Sequence, residues 1–238
     1  MEQVDRIDVY SRLDELRTAV FGESVKILPD TFLLKYDKHV HHFGNGYMLR
    51  HKNRHDIILI DAVIKEHKEE IARFRESGYH IKAILLTHAD LISQAYDDVD
   101  NIAKDLDTTI YIHPLDKNNT QLAAIDEPND VFDAFGIKVY HTPGHTKGSV
   151  AIYCEFNKAL FTGDSAIGSP YEKDEYYFER PPIASEQADL GLRESLRSIS
   201  VDFEHLLPLH GKPQFEIDDE ERERIMRNLT KEESTKNL

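Results

Sequence analysis

Four chemistry-bearing side chains stand where apolar runs end or where the chain turns on Gly and Pro. His88 follows Ile84-Leu85-Leu86-Thr87, and Asp164 follows Leu160-Phe161-Thr162-Gly163. His210 follows Leu207-Pro208-Leu209, and His145 lies in His141-Thr142-Pro143-Gly144-His145-Thr146-Lys147-Gly148-Ser149. A buried strand delivers the residue after its last apolar position to the sheet edge. Four such deliveries spread from position 88 to position 210 therefore require one fold that gathers several strand ends. Imidazole and carboxylate together suit zinc or iron. The Pro143-Gly144 turn holds the His145 ring on a rigid backbone.

The pattern around these stations alternates strands with helices. Leu13, Leu16 and Val20 at helical spacing, closed by Gly22, predict an N-terminal amphipathic helix over 9–21, whose uses are packing or a homodimer contact. Strands are predicted at 32–36, 47–50 and 57–60, the last running into Asp61. Val63, His67, Ile71 and Phe74 share a helical face ahead of a buried strand at 81–86, a strand, helix, strand unit that ends on His88. Ala95, Val99, Ile102 and Leu106 mark the next helix, followed by a strand at 110–112. Further strands are predicted at 137–140, 149–156, 159–161 and 206–209. A helix with Ala188, Leu192, Leu196 and Ile199 on one face precedes the last of them, and Asp218 with Glu221 caps a terminal helix. Two β-rich halves with interspersed helices fit an α/β fold, a four-layer αββα sandwich with the site at one sheet edge.

With 40% hydrophobic residues the chain can bury a large core. The expected organisation is an N-terminal helical extension over 1–24, one domain over 25–228 and a flexible tail over 229–238. A formal charge of −15 disfavours nucleic acid, because phosphate-backbone binding needs clustered Lys and Arg. Cys154, the single cysteine, excludes an internal disulfide and reads as a buried strand thiol. No stretch approaches the ~20 apolar residues of a membrane span, and residues 1–8 carry no apolar signal core, so the cytoplasm is the expected compartment.

The four stations, in this order, resemble the metallo-β-lactamase fold superfamily, in particular its glyoxalase II-like hydrolases, over roughly Leu33 to Pro213. The resemblance implies the αββα sandwich and a metal centre. Carried over position by position, the implied ligands are His88, Asp90 in place of a His, His145, the bridging Asp164 and His210. The family's first motif, Thr-His-x-His-x-Asp-His, stands here as Thr87-His88-Ala89-Asp90-Leu91-Ile92-Ser93. Ile92 and Ser93 occupy positions of an Asp and a His and cannot replace them, which leaves one ion per chain, Zn2+, as the expectation. A single zinc with an open position lowers the pKa of its water to about 7. With Asp90 as base, that predicts hydrolysis of a small ester, thioester or related small-molecule substrate.

Two alternatives use the same residues. His88, His145 and Asp164 make the two-imidazole, one-carboxylate set of non-haem Fe2+ oxygenases, which persulfide dioxygenases of the superfamily resemble. A non-catalytic binding protein with a vestigial site is the other. Asp164 could cap its turn through Ser165, and Asp90 reads equally as a ligand and as a solvated loop acid. His39, His41 and His42 stand either at the site rim or on the surface; His113 and His141 read as structural or supporting residues. His51, His55, His67 and His80 read as surface. The aromatic and charged insertion 168–182 is a lid, a dimer contact or an ordered loop covering core.

Overall fold

Unbroken apolar runs such as Ile57-Ile58-Leu59-Ile60 call for a sheet covered on both faces, since alternate side chains must both leave water. The computed structural model, which describes residues 9–20, 23–35, 44–117 and 121–232, provides two such sheets. The first runs in chain order: β1 (Ser24–Leu28), β2 (Thr31–Lys35), β3 (Asn45–Arg50), β4 (Asp56–Ile60), β5 (His80–Leu85), β6 (Thr109–Ile112) and β7 (Ala123–Ala124). It is antiparallel from β1 to β4 and parallel from β4 to β7. The second contains β8 (Ile137–His141), β9 (Val150–Cys154) and β10 (Ala159–Gly163). A small hairpin follows, β11 (Ile167–Gly168) with β12 (Phe178–Glu179), and then β13 (His205–Pro208). β13 returns to pair parallel with β10, giving the order β13-β10-β9-β8.

Among the described residues seven helices flank the sheets, five on the outer faces and two, the first and the fifth, packed into the inter-sheet core through Leu16, Phe132 and Phe135. The helices are α1 (Val9–Thr18), α2 (Lys68–Glu76), α3 (Asp90–Gln94), α4 (Val99–Leu106), α5 (Asp130–Phe135), α6 (Glu186–Ser198) and α7 (Asp219–Thr230). Three apolar layers show how the elements stack. Ile58 and Ile60 of β4 join Val150, Ile152 and Phe161 between the two sheets. Ile57 and Leu59 pack outward with Ile71 of α2 and Ile102 and Leu106 of α4. On the other side Ala151, Tyr153 and Leu160 meet Leu192 and Leu196 of α6 and Ile225 and Leu229 of α7. The arrangement is the expected αββα sandwich. Each fully buried Ile or Leu stabilises it by roughly 1.5–3 kcal/mol before entropy is charged against it.

Three local expectations are corrected. The helix expected from Ala95 begins only at Val99: Ala95, with ψ of 145°, is the extended residue that closes the preceding short helix α3, and α4 starts afresh where the Asp98 carboxylate accepts the Asp100 amide. Val20 lies beyond α1 and is 59% exposed, whereas Leu16 of the same helix is buried in the inter-sheet core. Gly22 lies outside the described residues. His67 is fully buried rather than at the surface, because it enters α2 from a 3-10 turn with its ring against Gly46, between β3 and the helix layer. Burial drives its pKa down to about 3, the Leu34 backbone opposing in part, so the ring is neutral.

The insertion is tied into the body. Tyr171 is buried in the inter-sheet core with its hydroxyl donating to Asn45 Oδ1, and Arg180 bonds Asp189 and the Leu229 carbonyl. Among the described residues no helix is long and apolar enough to cross a membrane.

Candidate metal centre

β4 runs parallel to β5, and β10 to β13, and the residues that follow these four strands meet at one edge of the sandwich. Asp61 leaves β4 in the left-handed region, φ 57°, and its carboxylate accepts both the amide and the hydroxyl of Thr87, each at 2.8 Å. Because the Thr87 hydroxyl donates its hydrogen to Asp61, Oγ1 is the acceptor toward His88 Nδ1 at 3.0 Å. That chain of donors places the His88 proton on Nδ1 and leaves Nε2 with a free lone pair facing the site. The Thr87 carbonyl accepts the Val150 amide at 2.9 Å, which joins the ends of the two sheets. Gly163, φ 51°, is required here: a Cβ at that position would run into Thr87.

Asp164 follows Gly163 directly, and its carboxylate is the hub. Oδ2 lies 3.5 Å from His88 Nε2 and 3.5 Å from His145 Nε2, while Oδ1 accepts from His210 Nδ1 at 2.6 Å. The two imidazoles meet edge to face with centroids 5.0 Å apart. His88, His145 and Asp164 each offer one ligand atom, and these atoms all lie within 4.8 Å of one another. Ligands about 2.0–2.1 Å from a tetrahedral zinc stand about 3.3 Å apart, so the 3.5 Å separations fit an ion and are too long for hydrogen bonds. The donor set fits the group.

His210 reaches this trio through the far oxygen of Asp164, beside the three-atom group rather than within it. Asp90, at the start of α3, puts Oδ2 3.2 Å from His145 Nε2 and is about half exposed. Ile92 packs against the outer apolar layer of the first sheet, and the Ser93 hydroxyl donates to the Asp90 carbonyl within its own helix. Both side chains are thus engaged within or behind α3.

Electrostatics follow from burial. Desolvation lowers the His88 pKa, and it works to raise that of Asp164. The hydrogen bond from His210 and the positive potential of the three histidines outweigh it and hold the Asp164 carboxyl below its usual range. Asp61, fully buried and near Asp164, is pushed up to about 7 despite its two bonds from Thr87.

The remaining histidines fall into place. His113 and His141 stack flat, centroids 4.1 Å apart and planes 2° off, behind the His145 turn. His51, His55 and His80 lie away from the site; His39, His41 and His42 lie outside the described residues. Two supporting residues went unread in the sequence: Asp61 and the buried Asp116, whose carboxylate touches both ligand turns. The signal for Asp61 was present in the sequence, since an acid closing a four-residue apolar run repeats the pattern of the other stations.

Comparisons with known proteins agree with this architecture. Residues 105–207 match the family model of the Metallo-beta-lactamase superfamily, a span that includes His145 and Asp164. ETHE1 from Myxococcus xanthus superposes with a TM-score of 0.61 at 14% identity, over 83% of this chain and 84% of that one. TMB-1 gives 0.64 at 17% identity over 87% and 95%, and a metallo-beta-lactamase from Pontibacter korlensis gives 0.61 at 15% over 87% and 99%. No curated protein matches the chain. The chain thus shares the metallo-beta-lactamase fold across most of its length, and the stretch that matches the superfamily's model carries two of its candidate ligands.

Proposed function

We propose that the protein is a metal-dependent hydrolase of a small ester, thioester or related substrate, working with one zinc ion held by His88, His145 and Asp164. The observation that carries this reading is the spacing of those three ligand atoms at one sheet edge. Zinc in such a site polarises a carbonyl and makes water acidic near neutral pH. The chain's own groups do the rest. The Asp61-Thr87-His88 relay keeps the His88 lone pair aimed inward, and His210 orients the Asp164 carboxylate through Oδ1. Asp90, exposed beside His145, can take the proton of an attacking water at Oδ2.

Zinc-loaded protein is expected to cleave a generic thioester or ester faster than zinc-loaded His88→Ala, with Asp90→Asn slowed by about 10²–10⁴-fold if Asp90 is the base. Equal rates for the wild type and His88→Ala across such substrates would remove the hydrolase reading. The two-imidazole, one-carboxylate composition favours a second reading, a mononuclear iron oxygenase. Iron in the purified protein, together with oxygen uptake on a thiol or persulfide, would select it.

A further inference from the structure

Asp116 closes the 3-10 turn Pro114–Asp116 that follows β6, outside the trio of candidate ligands, and is only 8% exposed. Its carboxylate receives three donors. Oδ2 accepts the Ala89 amide at 2.9 Å and the Thr146 hydroxyl at 2.5 Å; Oδ1 accepts the Gly148 amide at 2.7 Å. Ala89 is the residue after His88, and Thr146 is the residue after His145. One carboxylate therefore grips the chain immediately beyond each imidazole, on loops that come from different sheets.

The grip is close on both sides. A Cβ on Gly148 would stand 2.6 Å from Asp116 Cγ, so the loop comes within van der Waals range of the carboxylate only because position 148 has no side chain. The Thr146 hydroxyl also lies 2.8 Å from Ser149 Oγ, and Ser149 Oγ accepts the Thr146 amide, which fixes the turn around His145. At the other end of the same turn, His113 Nδ1 accepts the Leu115 amide, and the His113 ring lies flat on His141. His141 Nε2 is 2.9 Å from the Lys147 carbonyl. The short segment from His113 to Asp116 thus braces the whole 141–148 loop.

We infer that Asp116 is a positioning residue that sets the separation of His88 and His145. It touches neither imidazole, and it acts by holding the two backbones that carry them. The inference rests on the one-ion reading of the site. Asparagine at this position keeps one acceptor oxygen but turns an NH2 group toward donors that need an acceptor, so at least one loop is released. Ligand sites tolerate only about 0.5 Å of such freedom, and losing an outer partner of a metal ligand lowers affinity about 10–100-fold.

The test compares wild type, Asp116→Asn, Thr146→Val and Gly148→Ala. Zinc affinity is measured by competition with a chromophoric chelator, the cobalt-loaded protein is examined by visible absorption, and thermal unfolding is followed without metal. Zinc affinity is expected to fall about 10–100-fold in folded Asp116→Asn, with an altered cobalt spectrum, and by a smaller factor in Thr146→Val. Gly148→Ala, which pushes the carboxylate aside without removing it, should act in the same direction, and its combination with Asp116→Asn should be less than additive. If Asp116→Asn does not fold, Thr146→Val and Gly148→Ala carry the same expectation. Unchanged zinc affinity and an unchanged cobalt spectrum in the folded variants would overturn the inference while leaving the one-ion site standing. A wild type that takes up neither zinc nor cobalt would overturn both.

Discussion

Thr87 does three things at once: its amide and hydroxyl donate to Asp61, its hydroxyl oxygen accepts a hydrogen bond from His88 Nδ1, and its carbonyl ties the first sheet to Val150 of the second. Thr87→Val keeps the shape and removes only the hydroxyl. It should therefore weaken metal binding by about 10–100-fold, as loss of an outer-shell partner does. In a chelator competition series, His88→Ala and His145→Ala should lose tight binding altogether, and Asp90→Asn should fall less than Thr87→Val. A Thr87→Val protein that binds like the wild type would show that the relay does not orient His88. Single positions were legible in the sequence to different degrees. His88, Asp164 and His210 could be read because each ends an apolar run. The pairing of Asp61 with Thr87 could not, because the partners are 26 residues apart and only folding makes them neighbours. His67 was misread as surface although its helical spacing with Ile71 already placed it on an apolar face.

At the scale of elements, the buried ring at the head of α2 has a consequence for acid stability. In the folded chain the His67 pKa is lowered from 6.5 to about 3, so between those values the unfolded chain binds a proton that the native state refuses. Stability contributed here is complete above pH 6.5 and is lost as pH falls toward 3, by up to about 1.4 kcal/mol per pH unit. Asp61 works in the opposite sense, since its folded value of about 7 lies above 3.8 and the native state holds its proton more tightly. The comparison that isolates His67 is therefore with His67→Gln: denaturant unfolding at several pH values should show a shallower loss in the variant between pH 6.5 and 3. Parallel curves would contradict the assignment. Gly163→Ala is expected to destabilise the fold by at least roughly 1–3 kcal/mol from backbone strain alone, with the contact on Thr87 in addition. Element order was readable from periodicity, but the break between α3 and α4 was not. Ala95 has a good helix former's side chain, and the interruption comes from Asp97 and Asp98, which bond backbone amides and restart the chain as a cap.

For the molecule as a whole, layering was the most legible property. Consecutive buried residues in β4, β9 and β10 demand cover on both faces, and two such sheets against helices admit few arrangements other than αββα. The site was legible to the extent that parallel strands bring their carboxyl ends to one edge. The expectation of a single ion rests on Ile92 and Ser93, whose side chains pack on the apolar layer and bond within α3. On the proposed reading, this edge holds one transition-metal ion through His88, His145 and Asp164. Elemental analysis of the purified protein, after exposure to zinc and removal of loosely bound metal, tests it most directly. About one ion per chain is expected, falling to none in His88→Ala and His145→Ala. Two tightly held ions per chain, or none in the wild type, would contradict it.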